Sequence, residues 1–212
     1  MRALLACALV ALIVPTTLAA VAHYEDKPLP LGIGAVSTSR VEPIFARASA
    51  SLAGRPAEVR CWSRLDWARI NGDFITTGAP GENLDYVEGF YRPSTRRIHL
   101  APGVCGGLVA LRYRHQHPTR GGLELNIALG VETLAHESMH LRGYLDEATA
   151  ECYAQQLVAR TAHSLGATWG YGRRLEALSW RVIYPGHPDE YLSGECRDGG
   201  RLDLDPVSKQ FP

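Results

Sequence analysis

The spacing of apolar residues changes near residue 100 of the chain. Before that point, short apolar runs bounded by turn residues predict a helix over 41–53, a strand over 57–62 and a hairpin with arms at 89–92 and 96–100. Polar and apolar residues alternate in the second arm of the hairpin, which is typical of a half-buried strand. The first part of the chain is therefore expected to form a small antiparallel sheet.

From Leu123 onward, apolar residues recur every three to four positions, which is the period of a helix. Gly143 is suited to end this helix, and Asp146 is suited to cap a second helix that runs to about residue 164. A third helix is predicted over 173–182. The complete pattern predicts an α+β fold, in which the small N-terminal sheet packs on a helical core.

Composition and charge are those of an ordinary globular domain. The chain has 212 residues, of which 46% are hydrophobic and 21% are charged, so it can bury a sizeable core. The 22 Lys and Arg residues balance the 22 Asp and Glu residues. This balance argues against a nucleic-acid-binding protein, whose affinity would depend on a basic surface.

The first 22 residues are predicted to be a targeting segment. Arg2 precedes an uninterrupted apolar run over 3–14, and residues 20–22 form an A-x-A cleavage signature. No charged residue follows Arg2 within this segment, so an uncleaved N-terminal membrane anchor is the alternative to a signal peptide. In both cases residues 23–212 are expected to form a single exported domain, which is secreted or is held outside the membrane.

Four cysteines lie beyond the targeting segment: Cys61, Cys105, Cys152 and Cys196. An even number in an exported chain predicts two disulfides, and four cysteines allow three pairings. We favour Cys61–Cys105, which would join two strand-like segments, and Cys152–Cys196, which would join the C-terminal tail to a helix. The absence of a C-x-x-C pair argues against a thioredoxin-like redox site or an all-cysteine zinc site.

The central predicted helix contains an H-E-x-x-H motif at residues 136–140. His136 and His140 are four residues apart, so both imidazoles leave the same face of the helix and can reach one Zn²⁺. Glu137 would lie beside the metal without binding it, where it can take a proton from zinc-bound water. The spacing therefore predicts a zinc centre with Glu137 as the catalytic general base.

A catalytic zinc needs a third protein ligand, and two glutamates follow closely. If the chain reverses at Gly143, the next helix returns antiparallel and places Glu147 near His140 and Glu151 near His136. Either carboxylate could complete the ligand set. We favour Glu147 as the metal ligand and Glu151 as the residue that accepts an imidazole N–H and orients the ring.

These residues resemble the gluzincin group of zinc metallopeptidases, in which a glutamate on the next helix follows the H-E-x-x-H motif. The likeness covers residues 124–165 and rests on His136, His140 and the sequence E-x-x-A-E that begins at Glu147. Six residues separate His140 from Glu147, which suggests a compact, minimal zincin. The resemblance implies a zincin-like core with an edge strand above the active helix, for which residues 96–100 are the candidate.

The expected function is that of an exported zinc-dependent hydrolase, and more specifically of a metallopeptidase acting on a peptide or protein substrate. The alternative is a secreted zinc-containing binding or structural module without catalysis. The other polar candidates have weaker patterns. His115 and His117 lie in an arginine-rich predicted loop, and His163 and His187 have no partner pattern. A tyrosine could polarise a substrate carbonyl, and the candidates are Tyr144, Tyr171 and Tyr184.

Overall fold

A computed structural model describes residues 38–77, 87–208 and 211, with the side chains of the same residues except 71–77. The described residues all belong to one compact unit, Gly32–Pro212. The predicted targeting segment 1–22 lies outside the described residues. Its identity as a signal peptide or a membrane anchor therefore stays a prediction.

Four short strands form a mixed sheet in the first part of the described chain. They are β1 (Arg40–Val41), β2 (Glu58–Cys61), β3 (Gly89–Arg92) and β4 (Arg97–Leu100), and their order across the sheet is β1-β2-β4-β3. The two outer pairs are antiparallel, as predicted, but β2 and β4 run parallel. Parallel pairing is possible because a long connection containing a helix separates β2 from the hairpin of β3 and β4.

Seven α-helices in the described part of the chain complete the fold and confirm the predicted α+β class. They are α1 (Pro43–Ala53), α2 (Arg64–Thr77), α3 (Pro102–Arg112), α4 (Gly122–Arg142), α5 (Glu147–Gln155), α6 (Val158–Ser164) and α7 (Trp169–Leu178). A π-helical turn (Ser179–Ile183) and two 3₁₀ turns (Tyr184–Gly186 and Asp189–Tyr191) follow α7. The predicted second helix to residue 164 is divided into α5 and α6, and the predicted third helix begins earlier, at Trp169.

The central helix α4 packs against α1, α3, α5 and the sheet. It approaches α3 very closely, since a Cβ atom added at Gly107 would lie 2.1 Å from the carbonyl oxygen of Asn126 and one added at Gly130 would lie 2.7 Å from that of Val104. Glycine is therefore required where the two backbones meet. The surrounding core is fully buried and includes Phe45, Ile98, Leu100, Leu108, Ile127 and Leu134.

Both favoured disulfides are present. Cys61–Cys105 joins β2 to α3, so its partners are a strand and a helix rather than the two expected strands. Cys152–Cys196 joins α5 to the C-terminal tail, as predicted. Two disulfides are compatible with an extracellular protein. Within the described residues, no helix combines the length and the apolar character needed to span a membrane.

Candidate metal centre

Helix α4 presents the H-E-x-x-H residues to one side of the molecule. His136 and Glu137 are buried, with 6% and 4% of their surface exposed, and His140 is partly buried. The helix ends at Gly143, whose φ of 118° is in the left-handed region and whose N–H bonds back to the carbonyls of Met139 and His140. This turn reverses the chain directly after the second histidine.

Glu147 lies where the chain re-enters a helix, and its carboxylate faces both histidines. Asp146 caps α5 by accepting a hydrogen bond from the backbone N–H of Thr149, which orients the first turn of that helix. One oxygen of Glu147, Oε2, lies 3.1 Å from Nε2 of His136 and 3.1 Å from Nε2 of His140. The three side chains therefore converge, and one ligand atom from each lies within 4.8 Å of the others.

The Nδ1 atom of each imidazole already has a hydrogen-bond partner. Nδ1 of His136 donates to Glu151 Oε2 at 2.9 Å, and Nδ1 of His140 donates to the carbonyl of Tyr144 at 2.7 Å. Glu151 is itself held by Gln155, whose amide donates to Oε1 at 2.6 Å. With a proton on each Nδ1, each imidazole can offer the electron pair of Nε2 to a cation beside Glu147, as metal-binding histidines do.

This donor set fits a divalent cation. Two nitrogen electron pairs and a carboxylate oxygen repel one another unless a positive charge lies between them. Ligands at about 2.0–2.1 Å in tetrahedral geometry lie about 3.3 Å apart, close to the two observed separations of 3.1 Å. The cluster of His136, His140 and Glu147 could therefore hold a metal ion.

The pKa values of the same side chains indicate that the cluster favours a positive charge. Burial alone would lower the pKa of His136, but its hydrogen bonds to Glu147 and Glu151 raise that pKa to about 10. Burial alone would raise the pKa of Glu147, but hydrogen bonds from the two histidines lower it to about 2. Burial would also raise the pKa of Glu151, and the hydrogen bond from His136 contributes most to lowering it to about 2. A proton occupies His136 when no other cation is present.

A second group of ligand atoms, from Glu132, His136 and Glu151, also lies within 4.8 Å and is completely buried. Burial, followed by the neighbouring charge of Glu151, raises the pKa of Glu132 well above its ordinary value. Glu132 therefore keeps its proton and donates it to Glu151, so this group has an internal explanation as a hydrogen-bonded acid pair. The group that contains Glu147 can be reached by an ion from solvent, because that side chain is 38% exposed.

Glu137 lies beside the ligand cluster. Burial raises the pKa of its carboxyl group, while the two neighbouring histidines and the backbone N–H of Tyr91 act in the opposite direction. Its Oε2 has no hydrogen-bond partner in the described part of the protein. A buried carboxylate oxygen without a donor is costly, so a ligand that donates a proton is expected to meet it there.

The ligand residues and Glu137 all line one cleft of about 810 Å³. Strand β3 forms one wall, and among the described strands it lies at one end of the sheet order. The candidate edge strand at 96–100 was wrong, since β4 is an inner strand that pairs with both β2 and β3. The hairpin itself was predicted, but only the order of the strands shows which arm is at the edge.

The opposite wall comes from the C-terminal segment, through His187 and Tyr191. Their rings stack at 5.4 Å between centroids, and the Tyr191 ring lies 5.6 Å from the ring of His136. His187 Nε2 is 3.5 Å from Glu151 Oε1. Burial and then the nearby carboxylate of Glu147 raise the pKa of Tyr191 above its usual range, so its hydroxyl stays a donor.

Several other sequence candidates do not reach the cleft. His115 is exposed with a φ of 50°, and the ring of His117 contacts Tyr171 at 4.8 Å. The Tyr171 hydroxyl donates to the carbonyl of Pro118, and the Tyr184 hydroxyl accepts from the backbone of Ser193. Tyr144 contributes only its carbonyl, to His140.

Sequence reasoning gave no site role to several polar residues of the cleft, among them Glu88, Glu132, His187 and Tyr191. Glu132 had a detectable signal, since it precedes His136 by four residues and so shares its helical face. The favoured disulfide to Cys196 was a weaker signal, because it brings the residues before Cys196 near Cys152 and hence near Glu151. No local pattern identifies Glu88.

Comparisons of the chain with protein-family models, with curated proteins and with solved structures find no match. Its function must therefore be inferred from the chemistry of the cleft.

Proposed function

We propose that the chain is an exported zinc-dependent hydrolase, and specifically a metallopeptidase of the gluzincin type. His136, His140 and Glu147 would hold the ion, with Glu151 as the residue that orients His136. Zinc is the preferred ion because two imidazoles and one carboxylate are the donors it commonly takes in hydrolytic sites. When bound, it supplies Lewis-acid polarisation of a carbonyl oxygen and makes water more acidic.

The side chains of this protein have distinct parts in the proposed reaction. Glu137 accepts a proton from the attacking water at Oε2 and then delivers it to the nitrogen of the departing amine. Glu151 and the carbonyl of Tyr144 hold the two imidazoles in their tautomers. Tyr191 donates its hydroxyl proton toward the substrate from the opposite wall. Strand β3 forms a wall of the cleft, along which an extended peptide would lie.

One observation carries the proposal. The unpartnered oxygen of a buried carboxylate, Glu137 Oε2, belongs to the residue next to His136 and to the same open cleft as the converging ligands. A purely structural metal site has no use for such a group, since its ligand sphere is closed by side chains. This favours the enzyme over the alternative of a binding or structural zinc module.

The test is Glu137→Gln, measured for bound zinc by elemental analysis and for hydrolysis of a mixed peptide library with and without chelator. The variant should keep its zinc and lose about 10²–10⁴-fold in rate, because it loses the general base. Glu195→Gln is the matched control, since Glu195 pairs with Arg201 away from the cleft.

Equal rates for Glu137→Gln and the parent would show the mechanism to be wrong. Zinc binding by the parent without cleavage of any peptide would favour the non-catalytic module.

A further inference from the structure

The C-terminal wall of the cleft is built from short turns. Two 3₁₀ turns, Tyr184–Gly186 and Asp189–Tyr191, lie on either side of His187. The backbone N–H of His187 donates to the carbonyl of Tyr184 at 3.2 Å, which is a bond within the same segment. Such local bonds shape the turns, so the position of Tyr191 against the ligand cluster depends on side-chain contacts.

The side chain of His187 connects the two sides of the cleft. Its Nε2 lies 3.5 Å from Oε1 of Glu151, and its ring stacks on Tyr191 with 5.4 Å between the centroids and 19° between the planes. The other oxygen of Glu151 bonds to Nδ1 of His136, and the ring of Tyr191 lies 5.6 Å from the ring of His136. The four side chains therefore form a closed circuit of contacts.

Glu151 is the anchor of this circuit. Its side chain is 1% exposed, and the amide of Gln155 donates to Oε1 at 2.6 Å from the next turn of α5. The carboxylate cannot turn away from His187 without losing its hydrogen bonds to Gln155 and His136. The side chain of His187 is only 16% exposed, so most of its ring is packed inside the wall.

We infer that His187 is a positioning residue for Tyr191. Its ring, placed against Glu151, holds the Tyr191 hydroxyl where that hydroxyl can meet the substrate. The effect of His187 is indirect, because its Nε2 lies beside Glu151. A hydrogen bond to a developing charge depends on such placement, since small displacements weaken it. The inference rests on the proposed function, because it assigns a positioning residue for the same reaction.

A double-mutant cycle tests the route through Tyr191. With the zinc-loaded protein and one peptide substrate, His187→Ala should lower kcat by about tenfold, the usual effect of losing one hydrogen bond to a developing charge. KM and zinc content should stay near those of the parent. In the Tyr191→Phe background, His187→Ala should cost about twofold or less, because the hydroxyl that it positions is already absent. A purely structural contribution would lower the rate by the same factor in both backgrounds.

Two further variants separate the contacts of His187. His187→Phe keeps a ring against Tyr191, so it should restore kcat to within about threefold of the parent. His187→Gln keeps a polar group beside Glu151 but has no ring, so kcat should stay about tenfold low. His163→Ala is the matched control, because His163 stacks on Trp169 at 4.2 Å and neither residue lines the cleft, and its kcat should equal that of the parent.

Equal effects of His187→Ala in the two backgrounds, in a protein that cleaves the peptide, would overturn the inference and leave the proposed function standing. A loss of zinc in His187→Ala would also overturn it, because the histidine would then act on His136 through Glu151. Restoration of kcat by His187→Gln and not by His187→Phe would lead to the same conclusion. A zinc-loaded parent that cleaves no peptide would instead contradict the proposed function, and the inference with it.

Discussion

The two sides of the cleft are built in different ways. The ligand side consists of the capped helices α4 and α5, which the glycine turn at Gly143 brings together around His136, His140 and Glu147. The opposite side is the irregular segment that carries His187 and Tyr191, and the disulfide Cys152–Cys196 holds it to α5. Metal binding should therefore depend on helix geometry, whereas substrate binding should depend on how the C-terminal segment is attached.

The largest expected effect separates the two glutamates of the ligand side. Glu147→Gln should abolish measurable zinc binding, because it removes a ligand, whereas Glu151→Gln should lower affinity by about 10–100-fold, because it removes only the acceptor that orients His136. Competition with a metal-binding dye measures both affinities. A greater loss of zinc in Glu151→Gln than in Glu147→Gln would reverse the assignment of the two residues.

Removing the disulfide of the opposite side should affect stability and substrate binding together. The double variant Cys152→Ala, Cys196→Ala should lose about 4 kcal/mol of unfolding free energy, measured by denaturant titration, and should show a raised KM with little change in zinc content. The matched control is Cys61→Ala, Cys105→Ala. It removes a link of the same 44-residue separation, so stability should fall similarly while KM stays near that of the parent.

A smaller effect is expected at the hydroxyl of Tyr191. Tyr191→Phe should reduce kcat by about tenfold, the usual value of one hydrogen bond to a developing charge, with zinc affinity unchanged. Tyr171→Phe is the control, since the hydroxyl of Tyr171 donates to Pro118 outside the cleft. Steady-state kinetics on a single peptide measures both variants. A loss of zinc in Tyr191→Phe would assign this residue to the ligand side instead.

The smallest expected effect tests the cap that orients α5. Asp146→Ala should cost about 1 kcal/mol of stability, because Thr149 loses its hydrogen-bond acceptor, and should weaken zinc binding slightly through Glu147. Thr168→Ala removes the equivalent cap of α7, a bond from the backbone of Tyr171. Thermal unfolding should show similar losses for both variants, and zinc titration should distinguish them. Equal zinc affinities would mean that packing alone orients Glu147.

The fold could be predicted where the pattern was regular. The central helix, its end at Gly143 and the cap at Asp146 follow from local residue types, and so does the hairpin of β3 and β4. Helix α3 was not predicted, because Gly106 and Gly107 lower its helix propensity, and only the close approach of Asn126 in α4 explains the glycine at position 107. The predicted antiparallel sheet was wrong in one pair, since strand order depends on contacts between distant segments.

The sequence by itself determined the chemistry of one helix face: two imidazoles and a carboxylate at fixed spacing, followed by a turn and two further glutamates. Helical periodicity acts over a few residues, so it is visible without a structure. Only the tertiary structure decided that Glu147 faces both Nε2 atoms, that Glu151 lies behind His136, and that Glu88, His187 and Tyr191 close the cleft. These placements come from packing and a disulfide between segments that are far apart in the chain. Such long-range contacts produce no periodic pattern in the sequence.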